Sequence, residues 1–143
     1  MHPQQIIKDF KTMGATFVLD GDELYIENPD NLYPELEELA KSYKARIVAF
    51  LKGNYSDQDH AVKQTIDKII NFYRGIDQAM NEKINKWLNN DAAGTAAVMQ
   101  LMIDLSNNGW DKVPEPICNY ENDVTDKLSK EIFDRAMSYF RGQ

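Results

Sequence analysis

The stretch Thr16-Phe17-Val18-Leu19-Asp20-Gly21-Asp22-Glu23-Leu24-Tyr25-Ile26-Glu27 decides how this chain is read, because it spells a β-hairpin. Apolar and polar residues alternate on either side of Asp20-Gly21, a pair suited to a two-residue turn whose central positions need positive φ. A turn placed there sets Leu19 opposite Asp22, Val18 opposite Glu23, Phe17 opposite Leu24, Thr16 opposite Tyr25 and Ala15 opposite Ile26. With a period of two, Phe17, Leu19, Leu24 and Ile26 share the face expected to be buried. Thr16, Val18, Glu23, Tyr25 and Glu27 share the wet face. A lone two-stranded ribbon is marginal and needs helices behind it, while an unpaired edge can receive an extended segment of another protein. Thr16, Val18, Asp22, Glu23, Tyr25 and Glu27 are therefore the candidate partner-binding residues. Replacing Val18 by Pro would remove a backbone donor and is expected to disrupt such pairing, if that edge is the one used.

Helices are expected on both sides of the hairpin. Ile6, Ile7, Phe10 and Met13 recur at helical spacing over Pro3 to Met13, and Gly14 is a natural stop. Asn28-Pro29-Asp30-Asn31 reads as a turn that ends the second strand. A helix opens near Tyr33, with Asn31 or Leu32 close to its cap, Pro34 in its first turn, and Glu35, Glu37 and Glu38 favourable at its positive end. Its stripe is Leu36, Leu39, Ala40 and Tyr43. Ala45 to Leu51 extends it through Lys44 or follows a kink, and Gly53-Asn54 ends it.

This α-β-β-α-α order resembles the TubC N-terminal docking-domain family. The resemblance is carried by Ile7, Phe10, Met13-Gly14, Phe17, Leu19-Asp20-Gly21-Asp22, Leu24-Tyr25, Pro29, Leu32, Leu36, Leu39, Lys44, Ile47 and Phe50-Leu51, and it covers roughly residues 3–53. It implies a small module that receives a short C-terminal tail along its hairpin and can dimerise, as in nonribosomal peptide and polyketide assembly lines. At 143 residues the chain leaves no room for synthetase machinery, so the fold is expected to carry over without the biosynthetic role. Asp22, Glu23 and Glu27 are acidic where the family commonly carries basic residues for an acidic tail. The expected partner therefore presents a neutral or basic segment.

Residues 55–143 read as all helical. Ser56 is a plausible N-cap. Ala61, Val62, Ile66, Ile69, Ile70 and Tyr73 form one stripe up to Gly75, and Ile76, Met80, Ile84, Trp87 and Leu88 form another. Asn89-Asn90-Asp91 caps a third helix, Ala92 to Leu105, which Asn107-Asn108-Gly109 stops. Trp110 to Glu121, with Pro114 and Pro116, reads as an extended loop. Asp123 or Thr125 opens a last helix with Val124, Leu128, Ile132, Phe133, Ala136, Met137 and Phe140 on its apolar side. The fold class is thus α+β and mainly α: residues 1–54 form the docking-type module, followed by a four-helix region over 55–143.

Composition narrows the function. Hydrophobic residues at 43% and charged residues at 27% suit a globular chain, and no run approaches the roughly 20 apolar residues of a membrane helix. The start lacks an export signal, and the single cysteine, Cys118, fits a reducing compartment, so a cytoplasmic protein is expected. Net charge is −7, with six basic against nine acidic residues in 1–54 and ten against fourteen in 55–143. Direct nucleic-acid binding is disfavoured on that balance.

Chemistry is equally sparse. His2, at the terminus, and His60, on the polar side of a helix start, lie far in sequence from Cys118. No metal, phosphate-loop, dinucleotide or nucleophile motif appears. No cofactor and no enzyme activity are expected. Asp57, Asp59 and Asp67 are explained by capping and solvation, Cys118 by packing, and Met80, Met99, Met102 and Met137 by the core. Trp110, Lys130, Arg135 and Arg141 are the residues that would touch a single strand, if any do. The leading reading is a non-enzymatic adaptor that binds a protein through its hairpin module and can form a homodimer. The alternatives are a small acidic inhibitor of phage or mobile-element type, anti-CRISPR-like, that occupies a nucleic-acid-binding surface, and an accessory subunit of a replication or primase complex.

Overall fold

The computed structural model describes residues 2–73, 78–112 and 115–142, with residues 31 and 78–81 described by backbone alone. The chain is mainly helical, with one antiparallel strand pair near its start, and divides into two compact units, Met1–His60 and Ala61–Gln143. Among the described residues no helix is long and apolar enough to cross a membrane.

In the first unit, α1 (Pro3–Thr12) leads into β1 (Thr16–Asp20) and β2 (Glu23–Glu27). His2 caps α1, its Nδ1 accepting from the Gln4 N–H at 3.0 Å, and Gly14, at φ +84°, lets the chain reverse into β1. Asn28 takes a left-handed conformation and Pro29–Asn31 form a single 3-10 turn. α2 (Pro34–Ser42) and α3 (Lys44–Leu51) are separate helices that meet at Tyr43, which ends one and starts the other. Ile6, Phe10, Ala15, Phe17, Ala40 and Ile47 make the core. The Phe10 and Phe17 rings stack at 4.8 Å, fixing α1 against β1.

The second unit takes in most of α4 (Asp57–Tyr73), then α5 (Gln78–Asn90), α6 (Ala92–Asn107) and α7 (Asp123–Arg141), with a 3-10 turn at Cys118–Tyr120. The start of α4 is fixed by reciprocal bonds: the Asp59 N–H donates to Ser56 Oγ, and the Ser56 N–H donates to the Asp59 carboxylate. Val62, Ile66, Ile69 and Ile70 face Ile84, Trp87, Leu88, Val98, Leu101, Leu105 and Ile132 in one core. Gly75, Ile76 and Pro114 of the sequence reading lie outside the described residues, as does the side chain of Met80.

Four expectations need correction here. Tyr73, in the last turn of α4, is 38% exposed, because Val62, Ile66, Ile69 and Ile70 take the buried side of that helix. Met99 is 50% exposed, because Val98, Leu101 and Leu105 take the buried side of α6. Val124 is 64% exposed, since it sits in the first turn of α7, ahead of the buried residues of that helix. The segment after Gly109 is no plain extended loop: Trp110, Ile117 and Cys118 are buried and a 3-10 turn closes it.

Two polar clusters join the helices of this unit. The Lys63 ammonium reaches Glu121 at 2.7 Å and also pairs with Asp126, linking α4 to the start of α7. Burial disfavours its charge, yet the two carboxylates outweigh that and raise its pKa. Asp91 caps α6 by accepting from the Gly94 N–H at 3.0 Å. It also accepts from Trp87 Nε1 at 3.2 Å on α5, and from Arg135 Nε and Nη2 at 3.1 and 2.7 Å on α7. The Arg135 hydrogen bond is the main cause that lowers the Asp91 carboxyl to about 2.

Because that pKa lies below its ordinary 3.8, the stabilisation is complete above the ordinary value and fades as pH falls through about 2. Asp91→Asn keeps a capping oxygen and loses the ion pair. It should cost on the order of 1 kcal/mol at neutral pH, a difference that urea midpoints should show closing between pH 4 and pH 2. Gly94→Ala should also destabilise, by about 1 to 3 kcal/mol in the same measurement, since a Cβ there would stand 2.6 Å from Asp91 Oδ2 and 3.2 Å from Trp87. An exposed helical glycine would instead gain roughly 1 kcal/mol from the change.

Candidate functional site

The hairpin pairs Thr16 with Glu27, Phe17 with Ile26, Val18 with Tyr25, Leu19 with Leu24 and Asp20 with Glu23. The turn residues are therefore Gly21 and Asp22, one position later than Asp20-Gly21. Only Gly21 has positive φ, at +60°, which fits a turn with glycine first and an ordinary residue second. The change moves each pairing by two residues, so the two faces keep their members while every opposite pair differs. Phe17 is buried and Leu24 and Ile26 are half-buried against the first core, whereas Leu19, nearest the turn, is half-buried and outside it.

The observed register also changes the role of Val18. The pair flanking a two-residue turn exchanges both backbone bonds, and bonded and non-bonded pairs then alternate. Asp20–Glu23, Val18–Tyr25 and Thr16–Glu27 are bonded pairs, so the Val18 donor is spent inside the hairpin. The outward backbone groups belong to Phe17 and Leu19 on β1 and to Leu24 and Ile26 on β2. α1 lies against β1, whereas the principal contacts of β2 are with β1. Among the described residues no third strand joins either edge. Both outer edges therefore lack a strand partner, and the β2 edge is the one that runs beside Glu23, Tyr25 and Glu27.

Beside that edge, the wet face carries Tyr25, 53% exposed, with Glu23 and Glu27 both exposed. Thr16 is exposed and Val18 half-buried on the same face. Asp20 joins them directly opposite Glu23, a like-charge pair that repels. Neither has an ion-pair partner among the described residues. Asp22 differs: Lys52 pairs with it, and that hydrogen bond and charge lower its pKa. Its carboxylate already has a cation and belongs to the turn more than to a binding surface.

The four residues named as the ones that would touch a single strand, if any did, do not form one surface. Trp110 is 6% exposed and donates from Nε1 to the Glu115 carbonyl at 2.7 Å, so its ring cannot stack on a base. Arg135 is engaged by Asp91. Lys130 and Arg141 are exposed, near the middle and the end of α7.

One cluster escaped the sequence reading. The His2 and His60 rings lie 4.3 Å apart, with Phe50 and Tyr55 at 5.7 and 5.6 Å from His2. Tyr55 Oη and His60 Nδ1 are hydrogen-bonded at 3.0 Å, and His2 Nε2 stands 3.8 Å from Asp57. No spacing announces this group, because the chain must return past Gly53 before His60 meets the residue that caps α1. Its donors do not converge: among the described residues no three His, Cys, Asp or Glu side chains could hold a metal ion. The cluster packs the start of α1 against the end of α3 and the turn that opens α4.

No protein-family model matches the chain, and no curated protein or solved structure is similar enough to count as a match.

Amide hydrogen exchange should report this register directly. The Val18 and Tyr25 amides should be protected, and those of Leu24 and Ile26 should exchange readily. A turn at Asp20-Gly21 would reverse that pattern on β2.

Proposed function

We propose that the chain is a non-enzymatic protein-binding adaptor that takes an extended segment of its partner alongside β2. The observation that carries this reading is the open β2 edge, whose outward groups at Leu24 and Ile26 stand next to an acidic wet face. An added strand would draw its affinity from main-chain bonds and its selectivity from alternate side chains. Those side chains would lie beside Glu23, Tyr25 and Glu27. The repelling Asp20–Glu23 pair favours a segment that is neutral or brings a cation to that face. The α-β-β-α-α order and the likeness to TubC-type docking modules support the same mode of binding. Dimer formation through this module belongs to the proposal, and so does a working place in the cytoplasm.

A photoreactive benzoylphenylalanine at position 25 of the full chain tests this reading. It should crosslink to a neutral or basic extended segment of one protein. A synthetic peptide of that segment should compete and should perturb the Leu24 and Ile26 amides in nuclear magnetic resonance spectra. Glu23→Lys with Glu27→Lys should weaken a basic peptide about tenfold. Perturbations confined to other surfaces would overturn the proposal.

A further inference from the structure

The second unit has a groove of about 530 Å³ walled by α4, α5 and α7, within the roughly 300 to 1,000 Å³ of small-molecule sites. Ile69, Ile84, Met137 and Phe140 line it, and the buried Trp87 closes its floor. Lys68, Lys83 and Lys86 also line it and are exposed, so their stems cover apolar wall while their ammonium groups stand at the wet rim. Among the described residues no aspartate or glutamate lines the groove, although acidic residues outnumber basic ones by 23 to 16 in this chain. The groove is therefore a local reversal of the protein's charge.

The charge is also one-sided. Among the described residues the lining lysines come from α4 and α5, whereas α7 contributes only uncharged residues, Ala136, Met137, Tyr139 and Phe140. An acidic helix laid between the walls would need cations on both of them. A ligand with one anionic head and one apolar body matches a basic rim facing an apolar wall. Met137, unbranched and polarisable, suits a tail of variable shape.

We propose that this groove binds a single-chain anionic amphiphile, a carboxylate whose head sits at Lys68 and Lys83 and whose tail lies on Ile69, Ile84, Met137 and Phe140. The site is separate from the hairpin edge, so either proposal can fail alone. The test is calorimetric titration of the full chain with monomeric dodecanoate, in parallel with dodecyltrimethylammonium, which has the same tail and the opposite head. Dodecanoate should saturate one site and weaken as salt is raised, and the cationic amphiphile should bind about tenfold less tightly or worse. Lys68→Glu with Lys83→Glu should lower dodecanoate affinity about tenfold, while Lys130→Glu, outside the groove, should leave it unchanged. A thermal melt checks that the double variant folds; if it does not, the wild-type salt dependence and head-group preference decide alone. Equal affinity for both head groups, no saturation, or saturation only by an acidic helical peptide would overturn the proposal.

Discussion

Four hydrogen bonds converge on the carboxylate of Asp91, and the arrangement of the second unit depends on them. One side chain stops α5, starts α6 and holds α7, because it accepts from a residue on each helix. Its charge is what makes this possible: a carboxylate accepts the forked Arg135 guanidinium and still has lone pairs for an indole and a backbone amide. The approach of Asp91 and Trp87 to the backbone at Gly94 leaves no room for a Cβ there. Trp87, 0% exposed, is thereby fixed in the core at one face and under the α4–α5–α7 groove at another.

The first unit is organised differently. It relies on Phe10, Phe17, Ile6 and Ile47 to hold a ribbon against helices. Such packing covers a face of the ribbon and pairs neither edge, so β2 keeps outward amides and carbonyls among acidic side chains. A long unpaired edge invites aggregation, and charge along it is one way natural sheets prevent that. The same charge that protects such an edge also selects what can pair with it.

Much of this was legible in the sequence, for identifiable reasons. Hydrophobic period two gave the faces of the hairpin, and period three to four gave the helices, because burial enforces both. Gly14, Pro34 and Asp91 mark boundaries through backbone geometry and capping, which are local effects. The turn position was not fixed by those rules: both Asp20-Gly21 and Gly21-Asp22 are good turn pairs, and either one preserves the faces. The His2–His60 contact, the Arg135–Asp91 pair and the lysine-rimmed groove join residues far apart in sequence, so no window of the chain contains them. The burial of Trp110 is not legible in the sequence, because a proline-bearing loop has no periodicity and the indole finds the Glu115 carbonyl only in the fold.

The burial of Cys118, 1% exposed next to the Trp110 segment, gives the protein an internal clock. A sole thiol shut inside the second unit can react with an alkylating reagent only when that region opens. The labelling rate, compared with that of an unfolded chain, then measures the free energy of opening. One unmodified sulfur thus reads out how often the Cys118–Tyr120 turn opens, in the native protein and without a dye.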